Sequence, residues 1–319
     1  MTKPFFKILG LLFGIGLVIF LIYGHPGQLW QALLDFPADS MVGIALFTIL
    51  ANICQGLRYH FLWPDGDVGP LRQALLPFCT HTVNILLPNR SGDTVQPLLL
   101  RQWDPEQKFK SLIYWLLMDK FLEVVCFLPF LLATAWLFEL HLKQALIICG
   151  LGWIGMIIWV LSAKNKPRNL FMAVMFSVFG WLFNLAVFVE LIPTSIKSAL
   201  GLLVGTSVAS AIPSIPAGIG TYEMAFVWVG SSQGWTREQA IALAISSHTI
   251  SILVTMLVGI PLALYWGWPT AQEHAAAKAQ VMPLRHRISN VVVFFLAVLV
   301  IVCSGVLWMP YSRKKFASN

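Results

Sequence analysis

Residues 210–223 read Ser-Ala-Ile-Pro-Ser-Ile-Pro-Ala-Gly-Ile-Gly-Thr-Tyr-Glu. The stretch lies in strongly apolar sequence, yet it holds two prolines, two glycines and a carboxylate. Pro213 and Pro216 have no backbone N–H and interrupt a helical ladder. Gly218 and Gly220 permit backbone angles that other residues resist. The stretch therefore predicts a helix that ends, a short irregular turn, and a new helix starting near Thr221. Irregular backbone at membrane depth is tolerated only where protein or a water-filled cavity covers it. Broken helices of this kind mark binding sites in transporters.

The surrounding chain fits a membrane setting. Of its 319 residues, 58% are hydrophobic and 11% charged, which excludes disorder and points to a polytopic membrane protein. Several apolar runs reach the roughly 20 residues that span a bilayer. The runs are about Phe5–Tyr23, Met41–Trp63, Leu112–Phe138, Ala145–Ala163, Leu170–Ile192, Ala240–Trp268 and 289–309. Phe5–Tyr23 lacks a convincing cleavage site and reads as a retained first span. Gly24–Ser40 reads as a short helix at the interface, with Trp30 as anchor. Arg58 and His60, near the end of their run, are expected to snorkel toward water. The net charge of +7 reads as loop charge that sets topology and attracts anionic lipid; it is too scattered for nucleic acid. The five cysteines lie in apolar runs without a C-x-x-C, so they read as buried hydrophobes, and neither metal nor cofactor is expected.

A second stretch repeats the first. Leu86–Asp93 reads Leu-Leu-Pro-Asn-Arg-Ser-Gly-Asp, and Gly92 follows Pro88 by four residues, as Gly220 follows Pro216. An acid comes after each glycine, Asp93 and Glu223. About 30 residues past each proline a span carries polar groups: Asp119 and Lys120 in one, His248 in the other. The expected fold is one all-α polytopic bundle over residues 1–319, with two re-entrant, broken-helix hairpins. The first repeat unit covers about 71–138 and the second about 198–268. Three spans separate the breaks, and an odd number inverts the repeat. Lysines and arginines of the loops fall on one side in this topology, except Arg313, Lys314 and Lys315, which break the positive-inside rule. Gly201, Gly205 and Ala209 recur every four residues and form a small helix face for close packing.

Seven residues carry candidate chemistry. Asp119, Lys120 and Glu123 are costly, at about 2.5–3.5 kcal/mol per charge near a helix centre on insertion scales. They read as lining a wet interior or as a self-neutralised lock between helices. Arg90, at a break, suits phosphate through its bidentate fork, or pairs with Asp93. Glu223 opens a short helix, where the dipole favours a carboxylate. His248 can relay a proton or sit hydrogen-bonded in the interior. No G-x-S-x-G, H-E-x-x-H or Walker motif is present, so no enzyme chemistry is predicted.

Three motifs in order, Leu-Pro-Asn-Arg-Ser-Gly-Asp (87–93), Met-Asp-Lys-Phe-Leu-Glu (118–123) and Ile-Pro-Ala-Gly-Ile-Gly-Thr-Tyr-Glu (215–223), resemble the flippase-like transmembrane domain of bacterial lysylphosphatidylglycerol synthases. The resemblance covers about Met41–Trp268. Asp93 stands where that family usually has Glu, Gln96 where it has Arg, and Ala217 where it has the first Gly of a pair. Asp119, Lys120 and Glu123 keep the family's charge signs. The resemblance implies movement of an anionic phospholipid or lipid-linked headgroup between leaflets, in a bacterial inner membrane. It also implies membrane lipids as partners. The chain ends too early for the synthases' aminoacyl-transferase domain, so lysyl transfer is not predicted. The other readings are an accessory protein that docks a lipid-synthesising enzyme, and an intramembrane enzyme acting on lipid.

Overall fold

A computed structural model describes residues 36–63, 68–86, 92–140, 142–162, 169–192, 195–211, 218 and 220–266. The expected spans at Phe5–Tyr23 and 289–309, the basic tail, residues 24–35 of the interface segment and the break residues Pro88, Arg90, Pro213 and Pro216 lie outside these.

The described residues form nine helices and no strand. In chain order they are α1 (Ala38–Leu62), α2 (Pro70–Leu86), α3 (Gly92–Trp103), α4 (Phe109–Leu137), α5 (Leu142–Ser162), α6 (Leu170–Leu191), α7 (Ile196–Ala211), α8 (Thr221–Ser232) and α9 (Arg237–Trp266). Four of them, α1, α5, α6 and α9, are long and apolar enough to cross a membrane. Backbone groups in hydrocarbon must be satisfied within their own segment, which is why the chain uses helices there. Exposed Leu, Ile and Phe cover α5 and the outer faces of α6 and α9, the surface expected where lipid replaces water.

Around each Pro/Gly stretch one described helix ends and another begins. α7 stops at Ala211 and α8 starts at Thr221. Gly218 and Gly220 have φ of 73° and 89°, angles that a side chain would resist. α2 stops at Leu86 and α3 starts at Gly92. α3 is a helix of 12 residues that carries Pro97 inside it and continues through Arg101 to Trp103. At about 1.5 Å per residue, α3 and α8 (12 residues each) are each about 18 Å long, about two-fifths of the reach of α4 and α9.

The packing falls into two matching sets. Their lengths run 25, 17, 12 and 29 residues for α1–α4, and 22, 16, 12 and 30 for α6–α9. α2 packs on α1 and on α3 as α7 packs on α6 and on α8. α3 packs on α4 as α8 packs on α9. Across the sets, α2 packs on α9 as α7 packs on α4, and α1 packs on α9 as α6 packs on α4. α5 packs on α4 and falls between the sets in chain order. The most extensive interface joins the two leading helices, α1 and α6. They run antiparallel: Gly43 lies against Glu190, Phe47 stacks on Phe183 at 6.3 Å, and Phe61 stacks on Phe176 at 5.5 Å.

Small residues let the half-length helices lie close. A Cβ on Gly205 of α7 would sit 3.2 Å from the Ala225 Cβ of α8, and one on Gly201 would sit 3.3 Å from Val229. Of the small face predicted at 201, 205 and 209, Gly201 and Gly205 therefore seat α8. Gly92 plays that part in the other hairpin, where a Cβ would run into the Thr80 carbonyl oxygen of α2.

Candidate functional site

Two polar clusters lie inside this bundle. The first is built on α4. Asp119 and Glu123 are four residues apart, so they share one face. That face meets Arg58 of α1. Arg58 Nε donates to Asp119 Oδ1 at 2.6 Å and Nη2 to Asp119 Oδ2 at 3.0 Å, a bidentate fork. Nη2 also donates to Glu123 Oε2 at 3.2 Å, and Lys120 Nζ donates to the same oxygen at 3.2 Å. The two cations and two carboxylates cancel. The side chains of Arg58 and Asp119 are 4% and 2% exposed, whereas those of Lys120 and Glu123 are 32% and 28% exposed. The group thus has a sealed half and an open half.

Arg58 corrects the sequence expectation. It does not snorkel; it turns inward and is buried. Its place near the end of an apolar run suggested escape to water. The fork geometry of Asp119 on another helix outweighs that, because two unpaired charges in a low-dielectric interior would cost far more than ordering one side chain. Asp119 and Glu123 signalled a need for a buried cation, and Lys120 looked sufficient. Only the packing of α1 on α4 names Arg58.

The second cluster is built on α8 and α9. Glu223 is the third residue of α8; its Oε2 accepts from the Gly220 backbone N–H and so caps the helix start. Its Oε1 lies 3.1 Å from His248 Nδ1. The Tyr222 ring stacks on the His248 ring at 4.1 Å, and its hydroxyl lies 3.3 Å from Ser247 Oγ. Glu223 and His248, separate candidates in the sequence, are thereby one unit with Tyr222 and Ser247, which sequence reasoning did not select. The dipeptides Tyr-Glu and Ser-His gave no sign of facing each other.

α9 gives a common depth scale for the two hairpins. On one side, Cys79 Sγ approaches the Gly259 carbonyl at 3.6 Å and Thr82 Oγ1 donates to the Thr255 carbonyl at 3.3 Å. A Cβ on Gly259 would meet Thr82 Oγ1 and the Phe78 carbonyl, so α2 lies directly on α9 and runs antiparallel to it. Extending that register by four residues brings Leu86, the end of α2, beside Ser251. On the other side, the start of α8 is held at His248. Ser251 is at the midpoint of α9, Arg237–Trp266. The last residue of α2 and the first turn of α8 thus fall in register with the central part of α9.

Asp93 lies in the first turn of α3, partly buried. The start of that helix is tied back to α2, since the Gly92 N–H donates to Asn84 Oδ1 at 2.7 Å. The structure brings Asp119, Lys120 and Glu123 together and Glu223 and His248 together, as two separate clusters. Among the described residues no group of three or more His, Cys, Asp and Glu could hold a metal ion. Cys54, Cys79, Cys126 and Cys149 are free and buried.

A search of curated proteins returned no match to the chain. The family model described as the lysylphosphatidylglycerol synthase TM region matches residues 7–164 and 161–259. With its all-helical bundle and apolar spans, the chain is an integral membrane protein related to lipid synthesis or translocation. It belongs to the lysylphosphatidylglycerol synthase TM region family.

Proposed function

We propose that the chain moves an anionic phospholipid, or a lipid-linked headgroup, between the leaflets of a bacterial inner membrane. The observation that carries this reading is the antiparallel contact of α1 with α6. If the two matching helix sets are repeats, α1 and α6 are equivalent. Equivalent helices that touch antiparallel are related by a two-fold axis perpendicular to them. For membrane-spanning helices that axis lies in the membrane plane, so the repeat is inverted. Inverted repeats with broken helices meeting at mid-membrane are the architecture of many secondary transporters. The common depth of both breaks on α9 supports the re-entrant reading of α2–α3 and α7–α8. The units then begin earlier than the sequence suggested, since α1 and α6 join them.

In this reading Arg90, between α2 and α3, receives the lipid phosphate near the N–H groups that open α3. Lys120 and Glu123, on the open half of their cluster, line the path of the headgroup, and Glu223 with His248 lines it at the second break. Asp119 acts differently: it is sealed against Arg58 and holds α1 to α4. No covalent step on the lipid is required.

The test is leaflet translocation of labelled phosphatidylglycerol in proteoliposomes, wild type against Arg90→Ala. Transport that falls in the variant supports the reading. Folded wild-type protein that moves no more lipid than empty liposomes overturns it. Co-purification of a stoichiometric lipid-synthesising enzyme would then favour an accessory role.

A further inference from the structure

A third set of polar side chains lies apart from the two charged clusters and is uncharged except for one imidazole. Thr48, Asn52 and Gln55 stand at spacings of four and three along α1, so they share a face. That face meets α9 and α2: Thr48 Oγ1 lies 3.3 Å from Ser251 Oγ, and His81 Nε2–H donates to Gln55 Oε1 at 2.8 Å. Asn52, Gln55, His81 and Ser251 are each only partly buried. They sit along the inner stretch of α1, beside the halves of α2 and α9 that run up to the helix breaks. A histidine at such depth, partly open, faces a cavity or the bundle interior and not lipid.

The hydrogen bonds show what this polar seam, where α1, α2 and α9 meet, offers. Gln55 spends its oxygen on His81, and its two amide N–H groups have no partner among the described residues. Asn52 spends its Nδ2 on the Thr48 carbonyl at 2.8 Å, which leaves its Oδ1 without a partner among the described residues. Donors and an acceptor therefore stand three residues apart on one face, about 5–6 Å between Cβ atoms. Neighbouring hydroxyl groups, each able to donate and to accept, match that pattern. A cationic headgroup does not. The carboxylates of the two charged clusters are already engaged: Asp119 and Glu123 with Arg58 and Lys120, and Glu223 with His248.

We propose that the polar seam between α1, α2 and α9 binds the hydroxyl groups of a lipid headgroup without positive charge, through Asn52, Gln55 and the His81 that orients Gln55. The inference rests on the lipid-translocation reading for its ligand class, and it adds the chemistry that selects the headgroup.

Binding is measured by native mass spectrometry on the purified full chain. Four probes are used: monoglucosyl diacylglycerol, phosphatidylglycerol, phosphatidylethanolamine and a trimethylammonium diacyl lipid. The two hydroxylated lipids should compete with each other and bind ahead of the two others. Gln55→Leu should weaken both about tenfold, the scale of one or two neutral hydrogen bonds. Arg90→Ala should weaken phosphatidylglycerol and spare the glucosyl lipid, which separates phosphate recognition from hydroxyl recognition. Gln55→Glu puts a carboxylate in the same space and should shift preference toward the trimethylammonium lipid. If Gln55→Leu does not fold, this shift decides the matter. Preference of the wild type for the cationic lipid, or a Gln55→Glu protein with unchanged preferences, overturns the proposal. Intact headgroup selectivity in a protein that fails the proteoliposome assay would sink transport and leave binding at the seam standing.

Discussion

Arg58→Leu tests whether the Arg58–Asp119 contact holds the bundle together. The substitution removes three bonds at once, at 2.6 and 3.0 Å to Asp119 and at 3.2 Å to Glu123. Glu123 keeps Lys120, but Asp119 is left buried with a lone charge. Breaking one side of a buried pair costs about 3–5 kcal/mol. At about 2–4 °C per kcal/mol for a chain of this size class, the unfolding midpoint should fall by roughly 6–20 °C. The double variant Arg58→Leu/Asp119→Leu removes both charges and fills the space with apolar atoms. Its stability should return to within about 1–2 kcal/mol of the wild type, because desolvating the pair consumes most of its Coulomb gain. Arg58→Lys should fall between, since lysine keeps the charge and loses the fork. The assay is thermal unfolding of the detergent-purified protein, followed by intrinsic tryptophan fluorescence. A double variant as unstable as the two single losses added together would refute the reasoning. So would an Arg58→Leu protein with an unchanged midpoint.

Gly92→Ala should cost about 1–3 kcal/mol by the same measurement, because the new Cβ runs into the Thr80 carbonyl and α3 must move away from α2. Glu223→Ala removes the cap on α8 and the bond to His248, so a loss of about 1–2 kcal/mol is expected; Glu223→Gln, which still accepts from the Gly220 amide, should lose less. Hydrogen exchange should then speed up in 221–232 before it does so in α1 or α6. Cys54, Cys79, Cys126 and Cys149 should resist a maleimide in the folded protein and react once it is denatured; fast labelling of Cys54 or Cys126 would contradict the α1–α4–α6 packing.

Much of the fold was legible because hydrocarbon imposes a simple rule. A segment long and apolar enough must be a helix, and a cluster of Pro and Gly marks where one helix gives way to the next. The ends of α1, α4, α5, α6 and α9 accordingly fall within about three residues of the runs read from the sequence. α3 was less legible. Its apolar part is short, and its helix continues through Arg101, Gln102 and Trp103 because Trp103 packs edge-on against Trp266, far along the chain.

By itself the sequence determined an all-helical membrane chain, the turn glycines Gly218 and Gly220, and the small face at Gly201 and Gly205. It also set which acids are too costly to leave unpaired. These depend on composition and local spacing, and a helix writes both into consecutive residues. The tertiary structure alone decided the partners. Arg58 and Asp119 are 61 residues apart, Glu223 and His248 are 25 apart, and Thr48 and Ser251 are 203 apart. Such pairs form only when helices choose neighbours, and that choice follows from side-chain shape across whole interfaces. The antiparallel seat of α1 on α6 is of the same kind: two apolar helices, each able to pack in many ways, fixed by Phe47 on Phe183, Phe61 on Phe176 and Gly43 on Glu190.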